Sequence, residues 1–226
     1  CKPAADFDRD GLVRAMVGRD VSQSHYARGA QDVAAPATVR RKVLSVENVT
    51  MGSVVKNMSF SVYAGEVVAM SGLIGSGRTE IAKVVCGEFK RNLINGGMIY
   101  LNGKAVRYRV PGQAINDGIV YISEDRKVNG FFETMTVDDN IYLGRLATRL
   151  GRKLFTSTAQ RQTLADVWVD KLNISSTHRD ARISELSGGN QQKVMISKSL
   201  VQEPELVIFD EPTRGVDVGT IPMIHQ

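Results

Sequence analysis

The sequence lacks the features that mark membrane-spanning and disulfide-rich secreted proteins. No apolar run reaches the length of about 18 residues that a helix needs to cross a bilayer, and the start of the chain shows no signal-peptide pattern. Two cysteines, Cys1 and Cys86, are too few for a disulfide framework. Cys86 falls in an apolar pattern that predicts a buried free thiol. We therefore expect a soluble protein, or one that reaches a membrane through a partner.

The net charge of the chain excludes few classes of binding partner. The formal net charge of +5 favours anionic partners but does not choose between nucleotide, nucleic acid and lipid headgroup. The segment 131–183 carries many basic residues, for which a solvated face is the simplest explanation and contact with a partner at the membrane is the alternative. No regular interleaving of aromatic residues with them supports base stacking. These basic residues are Arg145, Arg149, Arg152, Lys153, Arg161, Lys171, Arg179 and Arg182.

What the chain does have is a strand that ends in two carboxylates. Leu206–Phe209 is an uninterrupted apolar run, which predicts a parallel strand buried on both faces. Asp210 and Glu211 follow at its carboxyl end, where open α/β sheets bind ligands. The two carboxylates can have different roles: Asp210 can hold Mg²⁺, and Glu211 can orient or deprotonate an attacking water. The alternative is two solvated acids that begin a proline-containing turn.

A second motif, LSGGNQQK, stands one helix before that strand. Glycines and a serine ahead of a helix expose backbone N–H groups that suit a terminal phosphate. A simple helix cap and turn is the alternative. The candidate residues of this motif are Leu186, Ser187, Gly188, Gly189, Asn190 and Gln191.

A third motif has the order strand, glycine loop, helix. The run Glu66–Ser71 predicts a strand, and GLIGSGRTE follows it with the glycine spacing of a P-loop. Ile81, Val84 and Val85 then predict a helix that ends at Gly87. The candidate nucleotide-binding residues are Gly72, Leu73, Ile74, Gly75, Ser76, Gly77, Arg78, Thr79 and Glu80.

The P-loop departs from its usual pattern at one important position. Arg78 replaces the lysine that reaches the β- and γ-phosphates, and a planar, longer guanidinium does not fit the compact lysine position. Glu80 adds negative charge beside the phosphate cradle. We therefore expect poor hydrolysis at this site, and a glycine turn without any ligand is the competing interpretation.

The rest of the chain divides by its patterns. The chain begins with residues 1–20 and a linker-like segment, 21–42. Alternating patterns then predict strands at 43–49 and 58–63. A further strand is predicted at 98–101 between Asn-Gly turns, and a core strand at 118–123. The segment 131–183 predicts mainly helices, one of them capped by Thr136. A start at Cys1 rather than Met indicates a fragment.

These motifs together resemble the ATP-binding-cassette (ABC) ATPases. More narrowly, GLIGSGRTE, YISEDRKVNGF, LSGGNQQKV and DEPTRGVDVGT are similar to the second, C-terminal ABC domain of bacterial monosaccharide-import ATPases. The resemblance implies an α/β P-loop NTPase fold in residues 43–226, with an antiparallel β subdomain, a parallel core sheet and a helical subdomain over about 131–183. It also implies that residues 1–20 are the tail of a preceding ABC domain, and that the last strand and switch histidine lie beyond Gln226.

The resemblance also assigns roles to residues. It implies ATP and Mg²⁺ as cofactors, Mg²⁺ contacts from Thr79, Glu124 and Asp210, Glu211 as the catalytic carboxylate, and Asp217 in the D-loop. Glu124 stands where the family usually has glutamine. The stretch 50–53 lacks the aromatic residue that commonly stacks on adenine. This fragment alone is therefore expected to hydrolyse little ATP.

ABC domains pair head to tail, so each ATP lies between one P-loop and the opposing signature motif. The resemblance implies that this half lends its intact signature motif to a productive site on the first ABC domain of the same subunit. The expected further partners are membrane permease subunits and, indirectly, a periplasmic sugar-binding protein, at the cytoplasmic face of the inner membrane. No nucleic-acid partner is expected.

Three functions stay open at this point. The first is the ATPase subunit of a sugar importer, and the second is a degenerate nucleotide-binding or scaffold module. The third is a soluble ABC protein that acts on ribosomes or DNA, which the Arg78 substitution and the EDRK-VNGF stretch disfavour. The sequence does not identify the sugar.

Overall fold

The computed structural model describes residues 40–125, 130–148, 157–174 and 181–214. The interpretations of residues 1–20 and most of the linker, and the D-loop residue Asp217, lie outside these ranges. Within them, strands and helices alternate in an α/β arrangement. The elements are β1 (Lys42–Met51), β2 (Val55–Tyr63), α1 (Arg78–Val85), β3 (Met98–Leu101), β4 (Lys104–Ala105), α2 (Pro111–Asn116), β5 (Ile119–Ile122), α3 (Val137–Leu146), α4 (Thr158–Lys171), a 3₁₀ turn (Ile183–Glu185), α5 (Gly188–Leu200) and β6 (Leu206–Phe209).

The first layer is an antiparallel sheet of strand order β2-β1-β3-β4. It confirms the strands predicted from the alternating patterns at 43–49, 58–63 and 98–101. Asn102 and Gly103 join β3 to β4 with φ angles of 48° and 78°, the left-handed conformation that a tight hairpin turn requires. One face of β1 buries Leu44 and Val46 in a core shared with α1.

Helix α1 covers that sheet and follows the predicted pattern. Ile81, Val84 and Val85 are buried, and the chain leaves the helix at Gly87 with φ 77°. A Cβ atom at Gly87 would lie 2.5 Å from the Cβ of Tyr108, so glycine is also required there for the close approach of the two segments. Cys86, at the end of α1, is a buried free thiol as predicted.

The second sheet is a parallel pair of β5 and β6. The prediction that β6 is buried on both faces is wrong, because the side chain of Phe209 is 44% exposed and Val207 and Ile208 are only partly buried. Within the described residues β6 pairs with β5 alone, so its second edge has no neighbouring strand to cover it. Leu206 at its start is the one residue of the strand that is buried.

The strand predicted over Glu66–Ser71 is also wrong. Beyond β2 the chain turns at Glu66, whose backbone N–H donates to Tyr63 O (3.0 Å) and whose carboxylate accepts from Tyr63 N (2.8 Å). The following residues pair with neither sheet, and all of 64–76 is exposed. An apolar run becomes a strand only where a neighbour satisfies its backbone, and the turn at Glu66 directs this run away from both sheets.

The helical region packs α3 against α4 and α5 around a second core. Thr136 caps α3, as predicted, by accepting a hydrogen bond from Asp139 N at 3.2 Å. Gly144 of α3 touches the backbone of α5 so closely that a Cβ atom would lie 1.9 Å from Lys198 O. No helix in the described part of the chain has both the length and the apolar content to span a membrane.

Candidate functional site

The glycine loop leads directly into the amino end of α1. Gly75 and Gly77 adopt φ angles of 82° and 87°, and Ser76 N donates to Leu73 O at 3.1 Å, which closes the loop on itself. Gly77 is the N-cap of α1 and supplies no side-chain cap, so the helix begins at Arg78 with amides that no side chain covers. A loop of positive-φ glycines at an uncapped helix start suits a bound phosphate.

The P-loop arginine lies beside the carboxylate that ends β6. Arg78 Nη2 is 3.8 Å from Glu211 Oε1, with the two side chains 33% and 47% exposed. Glu211 itself has φ 48°, a left-handed conformation that non-glycine residues rarely adopt and that occurs often at functional sites. Two motifs far apart in the sequence therefore meet at one place.

The neighbouring carboxylate has a different partner, which sequence reasoning missed. Tyr121 of β5 donates its hydroxyl to Asp210 Oδ2 at 2.7 Å, and Asp210 N donates to Ile122 O at 2.9 Å. Burial raises the pKa of Tyr121 well above its ordinary value, and the hydrogen bond to Asp210 and its charge raise it further. The sequence feature that could have indicated this contact is the single hydroxyl in the apolar run GIVYI, which forms the strand beside the one that ends at Asp210.

A third carboxylate is paired as well. Glu124, just beyond β5, forms an ion pair with Arg214, which follows β6 in the motif DEPTR. Next to it, Ser123 Oγ donates to Asp125 O at 3.2 Å. Three of the acidic side chains at the ends of the two parallel strands, Glu124, Asp210 and Glu211, therefore have a hydrogen-bond or ion-pair partner from another segment. The structure thus brings together Arg78, Glu211, Asp210 and Glu124 with their partners.

The LSGGNQ motif forms the start of α5. Ser187 is the N-cap and accepts from Asn190 N at 3.4 Å, so the predicted helix is present but begins earlier than expected, with Gly188 and Gly189 in its first turn instead of ahead of it. Gln191 donates from Nε2 to Ile183 O (3.2 Å) and Leu186 O (3.1 Å), so it fixes the turn before the helix. Gly189 is buried while Ser187 is exposed, which leaves the serine accessible at the helix end.

The family follows from a comparison with known proteins. The sequence profile of the family described as ABC transporter matches residues 55–214, which include the glycine loop, Glu124, the LSGGNQ motif and both strand-end carboxylates. This chain belongs to the ABC transporter family. The resemblance to ABC ATPases is thereby confirmed.

Relatives of this ABC chain include sugar-import proteins. It is 40% identical over 222 residues to the ribose import ATP-binding protein RbsA of Caldanaerobacter subterraneus subsp. tengcongensis, a match that covers 98% of this chain and 43% of the relative. It is 39% identical over 223 residues to a putative ribose/galactose/methyl galactoside import ATP-binding protein of Hahella chejuensis, covering 99% and 41%. The chain thus spans less than half the length of these relatives.

Solved structures support the ABC fold. An ATP-binding cassette of an ABC transporter in its ADP conformation matches with a TM-score of 0.66 and 24% identity, covering 81% of this chain and 74% of the other. The protein cbiO1 from Clostridium perfringens, part of an ABC transporter complex, matches with a TM-score of 0.64 and 23% identity, covering 82% and 72%. The expected α/β P-loop fold is confirmed at this level for the described part of the chain.

The residues of this ABC domain fit a magnesium nucleotide better than a metal ion alone. No group of three or more His, Cys, Asp or Glu among the described residues could hold a metal ion by itself. Mg²⁺ commonly takes one or two protein oxygens and completes its shell with water and substrate phosphates. Thr79 in the first turn of α1 and Asp210 at the end of β6 are oxygen donors of this kind.

Proposed function

We propose that this chain is part of the ATP-binding subunit of a bacterial sugar ABC importer, in which ATP binding and hydrolysis drive monosaccharide uptake. The observation that carries the proposal is the meeting of Arg78 and Glu211 at 3.8 Å, because it places the glycine loop and the strand-end carboxylates in one site. The sugar-import names of the relatives support the transport role.

We further propose the position of the chain within that subunit. Residues 43–226 would form the second ABC domain, 21–42 a linker, and 1–20 the tail of the first ABC domain. The coverage of the relatives, at 43% and 41% of their lengths, agrees with one domain of a longer subunit. The partners would be the first ABC domain, permease subunits at the cytoplasmic face of the membrane and, through them, a sugar-binding protein.

The site would hold Mg-ATP through backbone and side-chain groups. The amides of residues 72–79 would surround the phosphates, and Thr79, Asp210 and Glu124 would hold Mg²⁺, which neutralises phosphate charge when bound. Glu211 would orient or accept a proton from the attacking water. In the described conformation Asp210 and Glu124 already have donors, Tyr121 and Arg214, which would compete with Mg²⁺ for the carboxylate oxygens.

The arginine makes this site a poor hydrolase in our proposal. Its guanidinium pairs with Glu211 and would compete with an attacking water for that carboxylate, and it lacks the compact shape of the usual lysine. The signature motif is undamaged, and Ser187 is exposed at the start of α5. The motif would therefore serve the ATP site of the first ABC domain. The second candidate function, a nucleotide-binding module without hydrolysis, is favoured by the same ion pair.

The first test is calorimetric titration of Mg-ATP into the chain and its Arg78→Lys variant, with Arg40→Lys, an exposed arginine outside the motifs, as the matched control. We expect the parent chain to bind Mg-ATP with little turnover, and Arg78→Lys to raise both affinity and turnover while Arg40→Lys changes neither. Binding by neither the parent nor Arg78→Lys would overturn the proposed nucleotide site.

The second test asks whether the signature motif of this chain acts at the ATP site of the first ABC domain. In the tandem subunit, Ser187→Ala should lower ATP turnover and sugar uptake about 10-fold or more, since it removes a group aimed at transition-state phosphate charge. Ser157→Ala, which removes the equivalent N-cap of α4, is the control for loss of a helix cap. Unchanged uptake with Ser187→Ala would show that the motif does not serve a productive site.

A further inference from the structure

A cavity of about 460 Å³ lies beside α1 and β3, apart from the nucleotide site. Its charged lining consists of cations, and no acidic side chain of the described ranges lines it. It contacts α1 at Val84, six residues beyond Arg78, which places it about 9 Å along the helix from the glycine loop. The residues on which its chemistry depends are Phe89, Lys90, Arg91, Arg107, Tyr108 and Arg109.

The floor of this basic cavity is a buried arginine. Arg91 is 7% exposed, and its guanidinium donates to the backbone carbonyls of Gly97 and, at 3.4 Å, Val106. No ion pair in the described ranges involves it. Burial and the charge of Arg107 lower the pKa of Arg91. A buried cation without an anion is costly, so this arrangement favours binding of a negative group.

The second arginine is fixed beside the first. Arg107 Nη2 donates to the carbonyl oxygens of Arg91 and Asn92, each at 3.3 Å, so its guanidinium is held against the same loop. Arg109 is positioned through its backbone, whose N–H donates to Gln113 Oε1 at 2.7 Å, while the residue is exposed at the cavity. Lys90, which is exposed, adds a fourth cation to this lining.

The walls suit a ring or another apolar body. Phe89 and the ring of Tyr108 line the cavity together with aliphatic side chains. The hydroxyl of Tyr108 donates to Asp117 Oδ2 at 3.0 Å, so the phenol oxygen is occupied. Asp117 lies outside this lining, in an adjoining cavity that Arg107 and Tyr108 also line. A ligand with one strongly anionic end and an apolar body would match both the cationic side chains and the apolar walls of the cavity.

We propose that this basic cavity is a binding site for a phosphate monoester carried on an apolar or aromatic body. Guanidinium groups bind phosphate oxygens with paired, charge-assisted hydrogen bonds, and several cations around one cavity match a dianion better than a single carboxylate. The phosphate could belong to a free metabolite or to a lipid headgroup. In either case the ligand would add the missing counter-charge beside Arg91.

The experiment uses phenyl phosphate as the probe, titrated by calorimetry into the full chain, with inorganic phosphate and vesicles of phosphatidic acid in phosphatidylcholine as parallel arms. The test variants are Arg109→Gln and Arg107→Gln/Arg109→Gln, and the charge-matched control is Arg40→Gln/Lys56→Gln, two exposed residues away from the cavity. A third variant, Arg78→Gln/Thr79→Ala, removes phosphate contacts at the glycine loop.

We expect phenyl phosphate to bind more tightly than inorganic phosphate, because only the former contacts the aromatic walls. Arg109→Gln should weaken binding about 10-fold, as expected for loss of one charge-assisted contact, and the double variant more. The charge control and the glycine-loop variant should bind like the parent chain. Vesicle binding that shows the same dependence on Arg107 and Arg109, without binding of free phenyl phosphate, would assign the phosphate to a lipid headgroup.

Three results would overturn the proposal. The first is no binding of phenyl phosphate or vesicles at millimolar probe concentrations. The second is equal loss of binding in the charge control, which would show attraction to net charge. The third is loss of binding in the glycine-loop variant alone, which would place the probe at the nucleotide site. Because Arg109→Gln leaves the hydrogen bonds of Arg91 and Arg107 in place, it tests the site without disturbing the loop.

Discussion

Arg78 and Glu211 form an ion pair across the candidate nucleotide site, with Nη2 and Oε1 3.8 Å apart. In our proposal the arginine takes the position at which a P-loop normally presents lysine to phosphate, and the glutamate would be the catalytic carboxylate. In the described conformation the cation therefore contacts a carboxylate of the protein. Nucleotide phosphate and Glu211 would compete for the same guanidinium.

Loss of this ion pair should cost little stability. Both side chains are more than 30% exposed, so solvent screens their attraction, and pairs of this kind contribute about 0–1 kcal/mol. We expect Arg78→Gln to lower the free energy of unfolding by less than about 1 kcal/mol in urea denaturation. The same variant should weaken Mg-ATP binding measurably. Arg40→Gln is the control, and a much larger loss of stability would mean that Arg78 has a structural role instead.

The hydrogen bond from Tyr121 to Asp210 gives a second prediction. Tyr121→Phe removes a donor to a carboxylate at a partly buried site, so the free energy of unfolding should fall by about 1–2 kcal/mol. Asp210 would then have one donor fewer competing with Mg²⁺, and less Mg²⁺ should be needed for half-maximal ATP binding. Urea denaturation and a Mg²⁺ titration at fixed ATP measure the two effects.

The control for that variant is Tyr100→Phe, which removes a hydroxyl that forms no hydrogen bond with the described residues. It should change neither stability nor Mg²⁺ dependence. If both variants behaved alike, the contact between Tyr121 and Asp210 would have no special importance for the site.

The helical region offers a steric prediction. A methyl group at Gly144 would lie 1.9 Å from Lys198 O, so Gly144→Ala must push α3 away from α5. Overpacking of this kind costs about 1–3 kcal/mol. Gly112→Ala is the matched control, because Gly112 lies in α2 and a methyl group there would have no described atom within 4 Å apart from its chain neighbours and the backbone of its own helix. Thermal unfolding should show a lower midpoint for Gly144→Ala and an unchanged or raised midpoint for Gly112→Ala.

Much of the fold could be predicted because its signals are local. Alternation of apolar residues located β1 and β2, the spacing of Ile81, Val84 and Val85 located α1, and Thr136 marked the start of α3. Each of these signals acts within a single helix or strand. Such signals need no knowledge of what the element packs against.

What could not be predicted depends on neighbours distant in the sequence. The run Glu66–Ser71 has the composition of a strand, but a strand also needs a partner, and none of the described strands pairs with this run. The exposure of Phe209 has the same origin. In the site, the motif residues could be named in advance, but the partners Tyr121 and Arg214 could not, because each contact joins side chains from separate segments.

The buried thiol gives a prediction about pH. Burial, and to a smaller extent the charge of Glu88, raises the pKa of Cys86 from 9.0 to about 12. Between these values the unfolded chain releases the thiol proton and the folded chain keeps it, so stability is intact below pH 9 and falls as the pH rises. From pH 8 to pH 10 the parent should lose about 1 kcal/mol more unfolding free energy than Cys86→Ala, in which Cys1 is retained. Equal losses in the two proteins, measured by urea denaturation, would show that the thiol ionises normally in the folded state.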